Sequence, residues 1–416
     1  MEYGLIGEKL GHSFSKTIHE KLASYIYEIC ELKPNELDSF FKEKSFKSIN
    51  VTIPYKETVI KYLDELDESA KLVGAVNTIV NNDGYLIGYN TDYLGLNYLV
   101  KKLGLNLENK KVLILGAGGA SKACYAVCKM NGASQILKSD FNHLDGVISF
   151  DEISDHLDVD FIFNATPVGM YPKNDGKLID LDKFSNLVGF IDCIYNPLST
   201  NLVLDARSLN IPSMGGLYML VAQAYFAVEF FLRKKLDISL IDKIYKELVK
   251  EKDNIVLIGM PSCGKSTIGE LLSKKLKKQY VDIDLLIEEK INSSIKDYID
   301  KNGEDSFRNI EEEVVKDISK LNNQIISCGG GVIKRKININ NLKQNGKIYF
   351  IDRSLELLTP TATRPLSNDL NKLKKLYEER YPIYLDDSDY HIDNNQEIED
   401  AVNKIIEVYK NENPSY

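Results

Sequence analysis

No apolar run in the 416-residue chain reaches the roughly 18 residues that a membrane-spanning helix needs. The opening stretch MEYGLIGEKLGHS lacks the basic-then-apolar layout of a secretion signal. The six cysteines include no C-x-x-C pair and no scaffold spacing, which argues against a secreted, disulfide-stapled fold. Cys124 and Cys128, one helical turn apart, are expected to be buried thiols rather than metal ligands. Positive charge is in deficit: the formal net charge is −9, and a polyanion such as nucleic acid would be repelled. No internal repeat is visible. These absences leave a cytoplasmic globular protein with neither nucleic-acid nor membrane partners. At about 100–200 residues per domain, it has room for two to four structural units. The oligomeric state is not legible.

Two glycine-rich loops stand out, each directly after an apolar strand. GAGGAS follows KVLIL, and GMPSCGKST follows NIVLI. In the first loop, Gly116, Ala117, Gly118, Gly119, Ala120 and Ser121 would let the backbone approach a pyrophosphate at a helix N-terminus. The second fills every fixed position of G-x-x-x-x-G-K-[ST], the phosphate-cradling P-loop. There Gly259, Ser262, Cys263, Gly264 and Thr267 shape the cradle. Lys265 neutralises the β- and γ-phosphates, and Ser266 reaches Mg²⁺. Cys263 is read as a packing residue.

Around the loops the fold class reads as α/β. From Lys111, strands alternate with helices in the manner of a Rossmann-like, parallel sheet. The first hundred residues mix strands and helices, including a helix over HSFSKTIHEKLASYIY and a hairpin turning at Asp83-Gly84. The spacing of Val59, Leu63, Leu66, Ala70 and Val73 predicts a helix running on from Tyr55. LYMLVAQAYFAVEFFL closes this part as a helix, a charged amphipathic helix follows, and a new strand–P-loop–helix unit starts at Ile255. The expected domains are therefore 1–250 and 251–416, the first split into a substrate lobe (1–100 and about 211–237) and a dinucleotide lobe (101–210).

A dinucleotide redox enzyme needs a proton donor beside its substrate. The clusters NVTIPYK and NTD offer Lys56 and Asp92. A helix starting at Lys56 would disfavour its charge, and a neighbouring aspartate would oppose that effect.

The blocks GHSFSK, NVTIPYK, GAVNT, YNTD, GAGGAS, NATPVGM, DCIYNPLST and GGLYMLVAQA, in order over about the first 235 residues, resemble shikimate dehydrogenase. The resemblance implies reduction of 3-dehydroshikimate to shikimate, with Lys56 and Asp92 as the catalytic pair. It also implies substrate contacts from Ser13, Ser15, Asn50, Thr52, Asn77, Tyr195 and Gln223. The family's usual cofactor is NADP, held by an arginine after the second strand of the nucleotide lobe. Here Lys138, Ser139 and Asp140 stand in that place. Asp140 favours NAD, whereas Lys138 and Ser139 would have to receive the 2′-phosphate of NADP.

Behind the P-loop, YVDIDLLIE, GEDSFRNIE, SCGGGVI, TRPLSND and EERYPIY resemble shikimate kinase over about residues 254–410. That implies ATP-dependent phosphorylation of shikimate. Asp282 would hold Mg²⁺, and Asp284 would orient the shikimate hydroxyls. Arg308 and Arg380 would clamp the carboxylate, Gly329, Gly330 and Gly331 would admit the substrate, and Arg364 would sit on the lid. The lid lacks the additional arginine that the family usually carries before the R-P-L block. The alternative is a quinate/shikimate dehydrogenase fused to a degenerate, shikimate-sensing rear half.

Overall fold

The computed structural model describes all residues except 12–13, 143, 359–369 and 412–416. The chain divides into two compact units, Met1–Glu247 and the part beginning at Leu248, and the division falls inside the helix Ser239–Lys252.

The front unit holds two sheets. Strands β1 (Tyr3–Gly7), β2 (Tyr27–Glu31), β3 (Ser48–Val51), β4 (Glu65–Leu66), β5 (Thr78–Asn82) and β6 (Tyr85–Tyr89) form a mixed six-stranded sheet in the order 2-1-3-5-6-4. Strands β5 and β6 are the expected hairpin. Asp83 (φ 51°) and Gly84 (φ 95°) both take the left-handed conformation that a tight two-residue turn requires.

Two helices expected from periodicity are shorter than their patterns. The first ends at Leu22, and the apolar alternation beyond it becomes β2, parallel to β1. The second, expected from Tyr55 to Val73, breaks into a short 3₁₀ turn (Thr58–Tyr62), the strand β4 and a helix Glu68–Val73. Aspartates cause this break. Asp64 accepts a hydrogen bond from Leu86 N, and Asp67 caps the next helix by accepting from Ser69 N. Such side chains offer the backbone an alternative to a continuous helix.

The second sheet is wholly parallel: β7 (Lys111–Leu115), β8 (Gln135–Ser139), β9 (Phe161–Asn164), β10 (Gly189–Asp192) and β11 (Ser213–Met214), in the order 11-10-9-7-8. Strand order reverses at β7, where open α/β sheets bind ligands beyond the strand ends. The helix Leu217–Leu232 returns to the substrate lobe and packs on the helix Thr91–Lys102. Most of its apolar side chains are buried, at about 1.5–3 kcal/mol each. Gly95 permits the close approach: a Cβ there would meet Gln223 N at 2.7 Å and Met219 O at 2.8 Å.

The rear unit is a five-stranded parallel sheet: β12 (Asn254–Ile258), β13 (Gln279–Asp282), β14 (Gln324–Ser327), β15 (Gly346–Asp352) and β16 (Tyr390–Asp393), in the order 13-14-12-15-16. Strand β12 is central and fully buried, as its unbroken NIVLI pattern requires. Among the described residues, no helix is long and apolar enough to cross a membrane.

Candidate functional site

The front unit has a cavity of about 440 Å³ whose wall brings together Lys56, Asp92, Tyr195 and Gln223 with Gly119 and Ala120 of the first glycine loop. Lys56 sits in the turn after β3. Asp92 occupies the first turn of the helix Thr91–Lys102, whose N-cap Asn90 accepts from Tyr93 N. The Lys56 Nζ lies 2.7 Å from Asp92 Oδ2. No helix runs on from Lys56 beyond the short 3₁₀ turn, so the expected long-helix dipole gives way to this direct ion pair.

Ser15, Asn50, Thr52 and Asn77 also line the cavity, whereas Ser13 lies outside the described residues. Their backing is a buried hydrogen-bond network. Tyr27 donates to Asn50 Oδ1 at 2.7 Å, and Asn50 Nδ2 donates to Asn77 O and Thr78 Oγ1. Asn77 Oδ1 accepts from Thr91 N, and Thr91 Oγ1 reaches Gln223 Oε1 at 3.3 Å. Each amide is therefore oriented before any ligand arrives. Tyr27 and Thr91 have no role in the sequence reading. Thr91 lies in the block YNTD, whereas Tyr27 falls at the end of the expected helix HSFSKTIHEKLASYIY and stands instead at the start of β2.

In the dinucleotide lobe, an added Cβ at Gly118 or Gly119 would meet nothing within 4 Å, so this stretch of the loop faces open space. Asp140 folds back onto the loop and accepts from Ala117 N at 2.7 Å, while Asn142 binds its other oxygen. Hydrogen bonds from the Asn142 and Ala117 backbone hold the Asp140 carboxyl below its ordinary range. One sequence expectation fails here. Ser139 is fully buried, its side chain turned into the core, and cannot receive a 2′-phosphate. The Ser121 hydroxyl is buried, and its backbone stands in the first turn of the helix Gly119–Met130, where the loop expectation placed it. Lys138 Nζ rests over the Tyr125 ring, 4.4 Å from its centroid. Cys124 and Cys128 are buried as expected.

The rear cavity is about 790 Å³ and gathers Ser266, Asp282, Asp284, Arg308 and Arg380 with Gly329, Gly330 and Gly331. In the P-loop, Ser262 (φ 65°), Gly264 (φ 100°) and Gly259 (φ 146°) supply the backbone turns. Lys265 is buried and donates to Gly259 O at 3.0 Å and Met260 O at 2.9 Å. Cys263 is fully buried and packs, as expected. Thr267 is exposed beside Ser266 in the first turn of the helix Lys265–Leu276. Asp282 caps the helix Ile283–Ile291 through Oδ1, which accepts from Asp284 N at 3.0 Å. Its Oδ2 accepts from Ser266 Oγ at 3.2 Å.

Arg308 is bracketed by two glutamates on its own helix. Its Nη1 donates to both Glu311 oxygens at 3.0 and 2.8 Å, and Nε and Nη2 donate to Glu304 at 3.3 and 3.0 Å. Burial opposes the charge on Arg308, but Glu311 and Glu304 outweigh it and hold the guanidinium above its ordinary pKa. Burial in turn pushes the Glu311 carboxyl up, with Arg308 opposing. Neither glutamate is among the residues expected at the site, although both lie in the GEDSFRNIE block at i−4 and i+3 from Arg308. Arg380 donates to Gly330 O at 2.6 Å. The glycines are needed here: a Cβ on Gly329 would come within 2.4 Å of Asp284 Oδ1, and one on Gly331 within 2.4 Å of the Arg308 guanidinium. Arg364 and the lid segment lie outside the described residues.

Comparison with known proteins extends these geometries. The family model described as the shikimate dehydrogenase substrate binding domain matches residues 5–79. A shikimate dehydrogenase (NADP(+)) of Clostridium beijerinckii is 37% identical over 260 residues, covering 58% of this chain and 96% of that protein. The chain belongs to the shikimate dehydrogenase family. A solved chorismate mutase/shikimate 5-dehydrogenase fusion protein from Clostridium acetobutylicum is 36% identical with a TM-score of 0.56, covering 59% of this chain and 96% of that one. A Listeria monocytogenes shikimate 5-dehydrogenase, solved in complex with shikimate and NAD, is 28% identical with a TM-score of 0.52, over 58% and 96%. The shikimate kinase family model matches residues 261–410. This shikimate dehydrogenase thus carries a shikimate kinase domain behind it and is a bifunctional shikimate-pathway enzyme; nothing favours a degenerate rear half.

Proposed function

We propose that the front cavity takes 3-dehydroshikimate and returns shikimate, and that the rear cavity phosphorylates shikimate, with the catalytic work divided as follows. The observation carrying the first part is the 2.7 Å Lys56–Asp92 pair on the wall shared with Gly119 and Ala120. A bound reduced nicotinamide supplies the hydride. The Lys56 ammonium gives its proton to the substrate's carbonyl oxygen as that oxygen gains negative charge, and Asp92 holds Lys56 in place and favours its recharging. Asn77, Asn50 and Gln223, fixed by the network behind them, orient the ring hydroxyls. NADP is the expected cofactor, with NAD a second reading favoured by the Asp140 carboxylate on the Ala117 N–H.

In the rear cavity, Arg308 and Arg380 hold the acid's carboxylate through planar charge-assisted hydrogen bonds. Asp284 orients the hydroxyl that attacks, and Lys265 neutralises the phosphates of ATP. Ser266 and Asp282, oxygen donors 3.2 Å apart, fit a magnesium ion completed by phosphate and water. When bound, that ion supplies further charge neutralisation. Among the described residues, no cluster of three or more His, Cys, Asp or Glu offers an all-protein metal site. Catalysis is then positioning and charge neutralisation.

Two variants test the division. Lys56→Ala should lower dehydrogenase turnover by about 10²–10⁴ and leave kinase turnover intact, and Lys265→Ala should do the reverse. Loss of both activities in one folded variant would rule the scheme out. Nicotinamide absorbance with shikimate and either NAD or NADP settles the cofactor.

A further inference from the structure

The front cavity receives a monoanion, yet its assigned residues provide no net positive charge to meet it. Lys56 is spent on Asp92 at 2.7 Å, and this pair is neutral as a unit. A carboxylate placed against Lys56 would also face the Asp92 carboxylate. The amides of Asn50, Asn77 and Gln223 are engaged by the network behind them.

One further cation lines the cavity. Lys9 stands in the loop after β1 beside Gly11, and it has no hydrogen-bond or ion-pair partner among the described residues. The backbone around it is held fast. Leu10 N donates to Glu31 Oε1 at 2.7 Å, Glu8 N donates to Ile53 O at 3.4 Å, and the Leu10 side chain is buried. Gly7 lets the loop press on β3's continuation: a Cβ there would meet Leu10 Cδ2 at 2.6 Å and Thr52 Cγ2 at 2.8 Å. The backbone at Glu8 and Leu10 is pinned, while the Lys9 ammonium has no partner among the described residues.

We propose that Lys9 anchors the substrate carboxylate in the front cavity and so sets which end of the ring meets Lys56. This rests on the reading of the cavity as the dehydrogenase site. With the Lys56–Asp92 pair counted as neutral, Lys9 gives the described lining a charge of one, matching a monocarboxylic acid. The acid then enters with its carboxylate toward the Lys9–Gly11–Ser15 side and its carbonyl toward the proton donor. Two like-sized ring positions are distinguished by charge before hydrogen bonds are made.

The test uses the full chain with Lys9→Met and Lys9→Arg, assayed for oxidation of shikimate and of its neutral methyl ester. Thermal unfolding of the front unit in the same samples checks folding. Lys9→Met is expected to raise KM for the acid about tenfold, the loss of one charge-assisted contact, with kcat changed by less than about twofold. Lys9→Arg should recover most of the loss, and the ester should not respond to either change. An unchanged acid KM, an equal rise for the ester, or a fall in kcat alone would overturn the anchor while leaving the dehydrogenase reading standing. A wild-type chain that oxidises neither compound would overturn that reading and the anchor with it.

Discussion

His19 is fully buried, stacked on Tyr27 at 4.1 Å between ring centroids, with Nδ1 2.7 Å from the Tyr25 hydroxyl. Burial pushes its pKa down from 6.5 to about 3. Between those values the unfolded chain binds a proton that the folded chain refuses. Stability from this residue is therefore complete above pH 6.5 and is lost as pH falls toward 3. At pH 4.5 the loss relative to pH 7 should be about 2–3 kcal/mol. Urea titrations at both pH values should show the front unit of His19→Phe losing less stability by that amount. Equal losses in the two proteins would refute the assignment. Asp140 makes a second prediction at this scale. Asp140→Asn keeps an acceptor for Ala117 N but removes the charge that, on the proposed cofactor reading, would face the adenosine ribose. It should lower KM for NADP about tenfold, a like-charge repulsion of about 1–2 kcal/mol, and barely move that for NAD.

At the scale of elements, Gly95 links packing to the site. Gly95→Ala forces a methyl group against the backbone of the helix Leu217–Leu232 at Met219 and Gln223. The expected cost is about 1–3 kcal/mol of front-unit stability, with a several-fold higher dehydrogenase KM because Gln223 and its partner Thr91 shift together. Thermal unfolding and steady-state rates read the two effects, and unchanged kinetics would show that the helix contact is not coupled to the site.

The elements themselves were unequally legible. Strands β7 and β12 and the loops after them were plain, because a buried apolar run followed by glycines at fixed spacing leaves few alternatives. The stretch Tyr55–Val73 was misread because its apolar spacing fits a helix, while Asp64 and Asp67 redirect the backbone through side-chain bonds that periodicity does not register. Ser139 failed for a related reason. It was expected beside the 2′-phosphate because it stands next to Lys138 where the family carries its arginine, but at the end of β8 it is fully buried. Lys56, Asp92, Asp284 and Arg308 stand out in motif blocks, whereas Tyr27, Glu304 and Glu311 do not stand out because their part is to hold Asn50 and Arg308 from behind.

For the whole molecule, each cavity is lined by residues of a single unit. Shikimate made in the front unit should therefore mix with the bulk before it is phosphorylated. With labelled 3-dehydroshikimate, NADPH and ATP, an added pool of unlabelled shikimate should dilute the label in the phosphorylated product in proportion to pool size. Label that resists dilution would reveal direct transfer.

The posture of Lys265 bears on which anions the P-loop favours. Its ammonium is tethered to two loop carbonyls, which offset part of its charge. A small anion such as sulfate or chloride would gain little from Lys265, because the lysine would have to surrender both tethers. A polyphosphate chain offers enough new acceptors to make that trade favourable, so selectivity for a nucleoside triphosphate begins with the charge that the loop keeps for itself.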